Sequence, residues 1–112
     1  GLDFSRVVTF NLDEYFPMGK EDSHSYFRWM HETLFSHINI KWENIHIPDG
    51  TLDPEEVDEF CIGYERKIRA AGKPMGTVPH PGCTWKDMMD RGYQFVNAGS
   101  DIAGTCNAVQ IW

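Results

Sequence analysis

The sequence predicts an α/β fold, a small layered sheet of mostly parallel strands with about four helices. Three observations carry that expectation. Short β-branched and aromatic runs alternate with amphipathic helical stretches in the order strand, helix, strand, helix, and the order then repeats. The first run is almost continuously apolar, as a strand buried on both faces of a parallel sheet would be. Pro, Gly and Asp punctuate the connections where regular structure has to stop.

Residues 6–11 (RVVTFN) form that first run and are expected to be a central strand. Residues 11–20 (NLDEYFPMGK) carry two acids, Pro17 and Gly19, so a loop leaves the strand's carboxyl end, where open α/β sheets bind ligands. Asp22 or Ser23 can cap a helix running to about His37, with Phe27, Met30, Leu34 and Ile38 on its core face. Ile45, His46 and Ile47 read as a short extended piece ended by Pro48-Asp49-Gly50. Asp53 then caps a helix with Pro54 at its first position. Its apolar stripe is Val57, Phe60, Cys61, Tyr64 and Ile68, and Gly72 stops it. Residues 75–78 read as a strand, Thr84 caps a short helix through Asp90 ended by Gly92, and residues 93–98 (YQFVNA) read as another strand. A last weak helix is expected around 102–109.

With 112 residues, 41% hydrophobic and 24% charged, the chain suits one small globular domain. A net charge of -7 repels nucleic acid and anionic membranes, which excludes both as partners. No apolar stretch approaches the roughly 18 to 20 residues a membrane helix needs. Residues 1–6 lack the features of a signal peptide, and the three cysteines, Cys61, Cys83 and Cys106, form no CxxC pair. A cytoplasmic location is therefore expected. The strand beginning so close to the first residue suggests a start inside a larger domain.

Asp13 and Glu14 lie just past the first strand, where a desolvated carboxylate can act as a general base. A solvated loop carboxylate or a turn cap explains the same spacing. Five histidines, His24, His31, His37, His46 and His80, show neither i, i+4 pairing nor an HExxH motif, so no metal or other cofactor is expected. No Gly-rich phosphate loop of the GxGxxG or GxxxxGKS kind occurs, which leaves the Gly99-Ser100 turn as a weak anion-binding candidate. Trp29, Met30, Trp85, Met88 and Met89 are expected to pack the core. Cys61 sits on a helical stripe as a small hydrophobe, and Cys83, after Pro-Gly, is the better reactive thiol.

The segment VVTFNLDEY, continued by SYFRWMHETLFSHINIKWENIHIPDGT and by YERKIRAAG, resembles the glucosamine-6-phosphate deaminase family over about residues 1–72. In that family the first acid of the DEY segment moves a proton between C1 and C2 of the sugar phosphate, and the resemblance assigns this role to Asp13, with Glu14 beside it. The sequence has no Gly-Gly-Ser phosphate loop and no DGHIAFNEP-like segment, so the resemblance implies a base without its partner groups. Residues 73–112, through RAAGKPMGT and GYQFVNAGSD, resemble the last strand-helix units of metal-dependent 2-keto-3-deoxy-sugar-acid aldolases. Together these imply a chimera or fragment within one small domain over 1–112, a partial Rossmann-like piece (1–72) joined at 69–72 to a partial barrel-like piece (73–112). The implied function is that of a deaminase/isomerase-like fragment, catalytically incompetent alone, with a small sugar phosphate as ligand. The alternatives are a non-catalytic α/β module, or an aldolase-like fragment acting in an oligomer. Unpaired strand edges make a homo-oligomer the expected assembly.

Overall fold

The computed structural model describes residues 1–78 and 81–97. The chain divides into two compact units, Gly1–Tyr64 and Glu65–Trp112. In the first, β1 (Thr9–Phe10) leads through α1 (Tyr26–Thr33), a 3-10 turn at Phe35–His37 and another at Trp42–Asn44 to β2 (Ile45–His46). The two strands pair in parallel, Thr9 with Ile45 and Phe10 with His46. A 3-10 turn at Pro54–Glu56 then opens α2 (Val57–Ala70), which contains the boundary between the units. In the second unit β3 (Gly76–Thr77), α3 (Trp85–Asp90) and β4 (Phe95–Val96) repeat the plan, and β3 and β4 are again parallel. The predicted alternation of strand and helix, and the parallel pairing, are therefore present.

Several element ends fall where sequence signals place them. At α2, Asp53 precedes Pro54 and donates its N–H to Glu56 Oε2 at 3.2 Å, and Gly72 takes a positive φ of 68° just past the helix. At α3, Thr84 accepts from the Asp87 N–H at 3.2 Å while Asp87 Oδ2 accepts from the Thr84 N–H at 2.7 Å. Gly92, at φ 92°, ends that turn. Within the second unit, Tyr93 donates its hydroxyl to Glu65 and Arg69 donates to the Arg91 carbonyl.

Three expectations are corrected. The first strand is two residues long and half-buried, with Val7 and Val8 left 38% and 43% exposed; among the described residues it pairs with β2 alone and is not a central strand. An apolar run specifies what a strand would bury, but burial needs covering surfaces, and β1 is only partly covered. In place of one small sheet, the described residues form two two-stranded sheets, β1–β2 and β3–β4. Finally, α1 starts later than expected, since Asp22 accepts from the His24 N–H at 2.8 Å within a preceding turn and leaves Ser25 as the cap. Among the described residues the buried apolar side chains are Phe35 in the first unit and Met75 and Met88 in the second. Phe60 on α2 is only half-buried and Cys61 is exposed, so the α2 stripe is less covered than its spacing suggests. Met30 is half-buried, whereas Trp29, Trp85 and Met89 are exposed.

Among the described residues no helix is long and apolar enough to cross a membrane. The helix expected at 102–109 and the end of the strand expected at 93–98 lie outside the described residues.

Candidate functional site

The loop that leaves β1 is built by fixing both of its ends. Before it, the Asn11 N–H donates to the His46 carbonyl at 2.9 Å, extending the β1–β2 ladder by one rung. The Tyr64 hydroxyl, reaching from α2, sits 2.8 Å from the Asn11 carbonyl and 3.0 Å from that of His46. Burial pushes this phenol up to about 12, against the smaller opposing effect of the bond at Asn11. Aromatic contacts hold the same node: Phe10 stacks on His46 at 4.6 Å and meets Tyr64 edge-on at 6.0 Å.

Beyond the node the two candidate carboxylates separate. Glu14 Oε1 accepts from the Tyr26 N–H at 2.9 Å and Oε2 from the Phe27 N–H at 2.8 Å, so Glu14 closes the start of α1. A carboxylate there satisfies amides that have no partner within the helix and sits at the positive end of its dipole. Ser25, fully buried, completes the start by accepting from the Arg28 N–H at 3.1 Å while donating to the Lys20 carbonyl at 3.1 Å. Asp13 is exposed and makes no hydrogen bond among the described residues. The two acids, adjacent in the chain, thus differ: Glu14 is bonded to the helix start and Asp13 is exposed.

The far side of the loop is held by the turn at 48–51. Met18 donates its N–H to the Gly50 carbonyl at 2.7 Å, and a Cβ at Gly50 would lie 2.5 Å from the Tyr15 carbonyl oxygen and 2.6 Å from that of Met18. Only glycine fits that approach. Asp49 braces the turn by accepting from the Thr51 hydroxyl at 2.6 Å and N–H at 2.9 Å, which hold its carboxyl below the usual carboxylate range.

Alongside the loop runs a groove of about 520 Å³ lined by Tyr15, Met18, Ser23, His24, Tyr26 and Trp29. Tyr15 and Tyr26 stack at 5.0 Å with their planes 20° apart. Contact with the Tyr15 phenol, by hydrogen bond and by charge, raises Tyr26 above the ordinary tyrosine value. Desolvation and the nearby charges of Asp13 and Glu14 add to it. Sequence reasoning missed the groove. The signal was present, because Tyr26 and Trp29, three apart, make a second aromatic face beside the Phe27–Met30 stripe.

Gly99, Ser100 and His80 lie outside the described residues. Cys83 is half-buried in the second unit. Among the described residues no three His, Cys, Asp or Glu side chains come close enough together to hold a metal ion.

No family model matches the chain. The glucosamine-6-phosphate deaminase of Alkaliphilus oremlandii (strain OhILAs) is 49% identical over 71 residues, covering 63% of this chain and 29% of that protein. That of Thermoanaerobacter sp. (strain X514) is 48% identical over 71 residues, covering 27% of its own length. A solved structure, described as a monomeric glucosamine-6-phosphate deaminase and missing link of the NagB superfamily, superposes with a TM-score of 0.60 at 31% identity. The match covers 69% of this chain and 31% of that one. The chain thus spans less than a third of the length of these relatives. None of these findings supports the aldolase-like segment or a chimera. What they do establish is a resemblance to glucosamine-6-phosphate deaminases, in sequence and in fold, over a partial segment of the chain.

Proposed function

We propose that the chain carries the proton-transfer loop of a sugar-phosphate deaminase/isomerase, with Asp13 as the general base. The observation that supports this most is the 49% identity over 71 residues to a protein of that activity. The local geometry agrees with it. Asp13 stands exposed at the end of β1, between a strand end tied by Asn11 and Tyr64 and a helix start closed by Glu14. In this reading the Asp13 carboxylate takes a proton from one of the carbons C1 and C2 of the open-chain sugar phosphate and returns it to the other, with no net change in protonation. Glu14, whose oxygens accept from the helix amides, holds the loop in place and does not exchange protons with substrate. Gly99 and Ser100 remain the proposed anion contacts.

Alone, the chain is expected not to release ammonia from glucosamine 6-phosphate, because its sequence contains no phosphate loop and no ring-opening histidine segment. The test is therefore a graft. Residues 1–72 replace the corresponding segment of the Alkaliphilus deaminase, and ammonia release is measured with and without Asp13→Asn. Activity in the graft that falls about 10²- to 10⁴-fold in Asp13→Asn is the expected result. A folded graft whose activity is indifferent to Asp13→Asn refutes the assignment.

A further inference from the structure

The groove beside the loop combines three features that point to one ligand chemistry. Its walls are aromatic: Tyr15 and Trp29 are 51% and 56% exposed, and Tyr26 lies between them in sequence on the same side of α1 as Trp29. Its surroundings are acidic, with Asp13 and Glu14 close enough to act electrostatically on Tyr26 and with Asp22 at the groove's Ser23–His24 rim. The nearby cations are engaged elsewhere: Arg28 pairs with Glu32 at 2.7 Å, and the Lys20 ammonium lies 5.2 Å from the centre of the Phe27 ring. His24, which lines the groove, has its Nδ1 3.1 Å from Asp22 Oδ1. An exposed aromatic surface in a negative field attracts cations through the ring quadrupoles and the carboxylates together. A primary ammonium needs acceptors for three N–H groups, whereas Trp29 offers none, Met18 only a weak thioether, the Ser23 hydroxyl and His24 Nδ1 already meet at 3.2 Å, and the Tyr15 and Tyr26 hydroxyls bond each other. A quaternary ammonium needs none.

We infer that the Tyr15–Tyr26–Trp29 groove binds a small quaternary ammonium cation. This goes beyond the proton-transfer reading and does not depend on it, since neither the ligand nor the groove takes part in moving the sugar proton. Trp29 and the ring faces that the Tyr15–Tyr26 stack leaves open supply the contact, the carboxylates supply the field, and the methyl groups of the cation cover apolar surface that is otherwise wet.

The test uses the whole chain with choline and its neutral carbon isostere, 3,3-dimethyl-1-butanol, following the Trp29 indole N–H and the amides of 15–29 by NMR in low salt. The expected result is saturable shifts at these positions, about tenfold stronger binding of choline than of the isostere, and weakening as salt is added. Tyr26→Leu should weaken choline binding at least fivefold, whereas Tyr26→Phe, which keeps the ring, should stay within about twofold. Equal affinity for the two ligands would mean a merely apolar groove and would overturn the proposal. So would shifts outside the groove, the absence of saturation, or a Tyr26→Phe loss as large as that of a folded Tyr26→Leu.

Discussion

Asp13 and Glu14 are adjacent carboxylates with different surroundings, and that difference is what spacing alone leaves open. Both were legible as acids at a strand's carboxyl end. Which of them caps the helix depends on where α1 begins, and the segment Asp22-Ser23-His24-Ser25 offers three capping residues in four positions. The turn uses Asp22, so Ser25 becomes the cap, and Glu14 meets the first amides of the helix. Glu14→Gln should therefore lower stability by about 1–2 kcal/mol, because a neutral amide is a weaker acceptor at the positive end of the helix. Denaturant unfolding checks the magnitude, and faster exchange of the Tyr26 and Phe27 amides checks the cause. Asp13→Asn, at an exposed group, should leave stability within about 0.5 kcal/mol. A larger cost for Asp13→Asn than for Glu14→Gln would reverse the two roles.

At the scale of elements, one phenol ties α2 to the ends of β1 and β2, and one glycine braces the loop that leaves β1. Tyr64 was read as part of an apolar stripe; its hydroxyl reaching two strand-end carbonyls could not be inferred, because the parallel register of β1 and β2 decides where those carbonyls lie. The folded state holds this proton up to about 12, above the ordinary tyrosine value of 10.0. Its contribution is therefore fully present below pH 10 and is lost as pH rises from 10 towards 12. Because the group is only half-buried, solvent screening reduces the effect to about 1–2 kcal/mol. Tyr64→Phe should shrink the alkaline loss in a stability–pH curve, leaving the part due to Tyr93, whose phenol burial and Glu65 also push up to about 12, and cost about 1 kcal/mol at neutral pH. Gly50 is the second support. Gly50→Ala drives a methyl into the Tyr15 and Met18 carbonyls and should cost about 1–3 kcal/mol. Changed environments for Tyr15 and Met18 in NMR spectra would identify the loop as the part that moves. An unchanged loop would show that the turn at 48–51 does not brace it.

Across the molecule, the order of elements was more legible than their burial, and the reason is physical. Caps, prolines and positive-φ glycines act within a few residues, so Asp53-Pro54, Gly72, Thr84 and Gly92 mark their boundaries without reference to the rest of the chain. Burial is a property of the surfaces that meet. Val7, Val8, Leu34 and Ile62 are apolar in sequence and exposed in the structure, because each two-stranded sheet offers little area for the helices to cover. Short parallel sheets whose outer edges are unpaired among the described residues, together with exposed valines, favour pairing with a further strand. We therefore expect the chain to self-associate: sedimentation should give species heavier than the 12.9 kDa chain, with a radius of gyration well above the roughly 13 Å of a compact monomer this size. Val8→Lys places a charge beside β1 and should shift the distribution towards monomer, while an equivalent charge at the exposed α3 position, Met89→Lys, should not if β1 is the edge in use. A compact monomer with the native sequence, or equal effects of the two substitutions, would show that the edge of β1 is not what brings chains together.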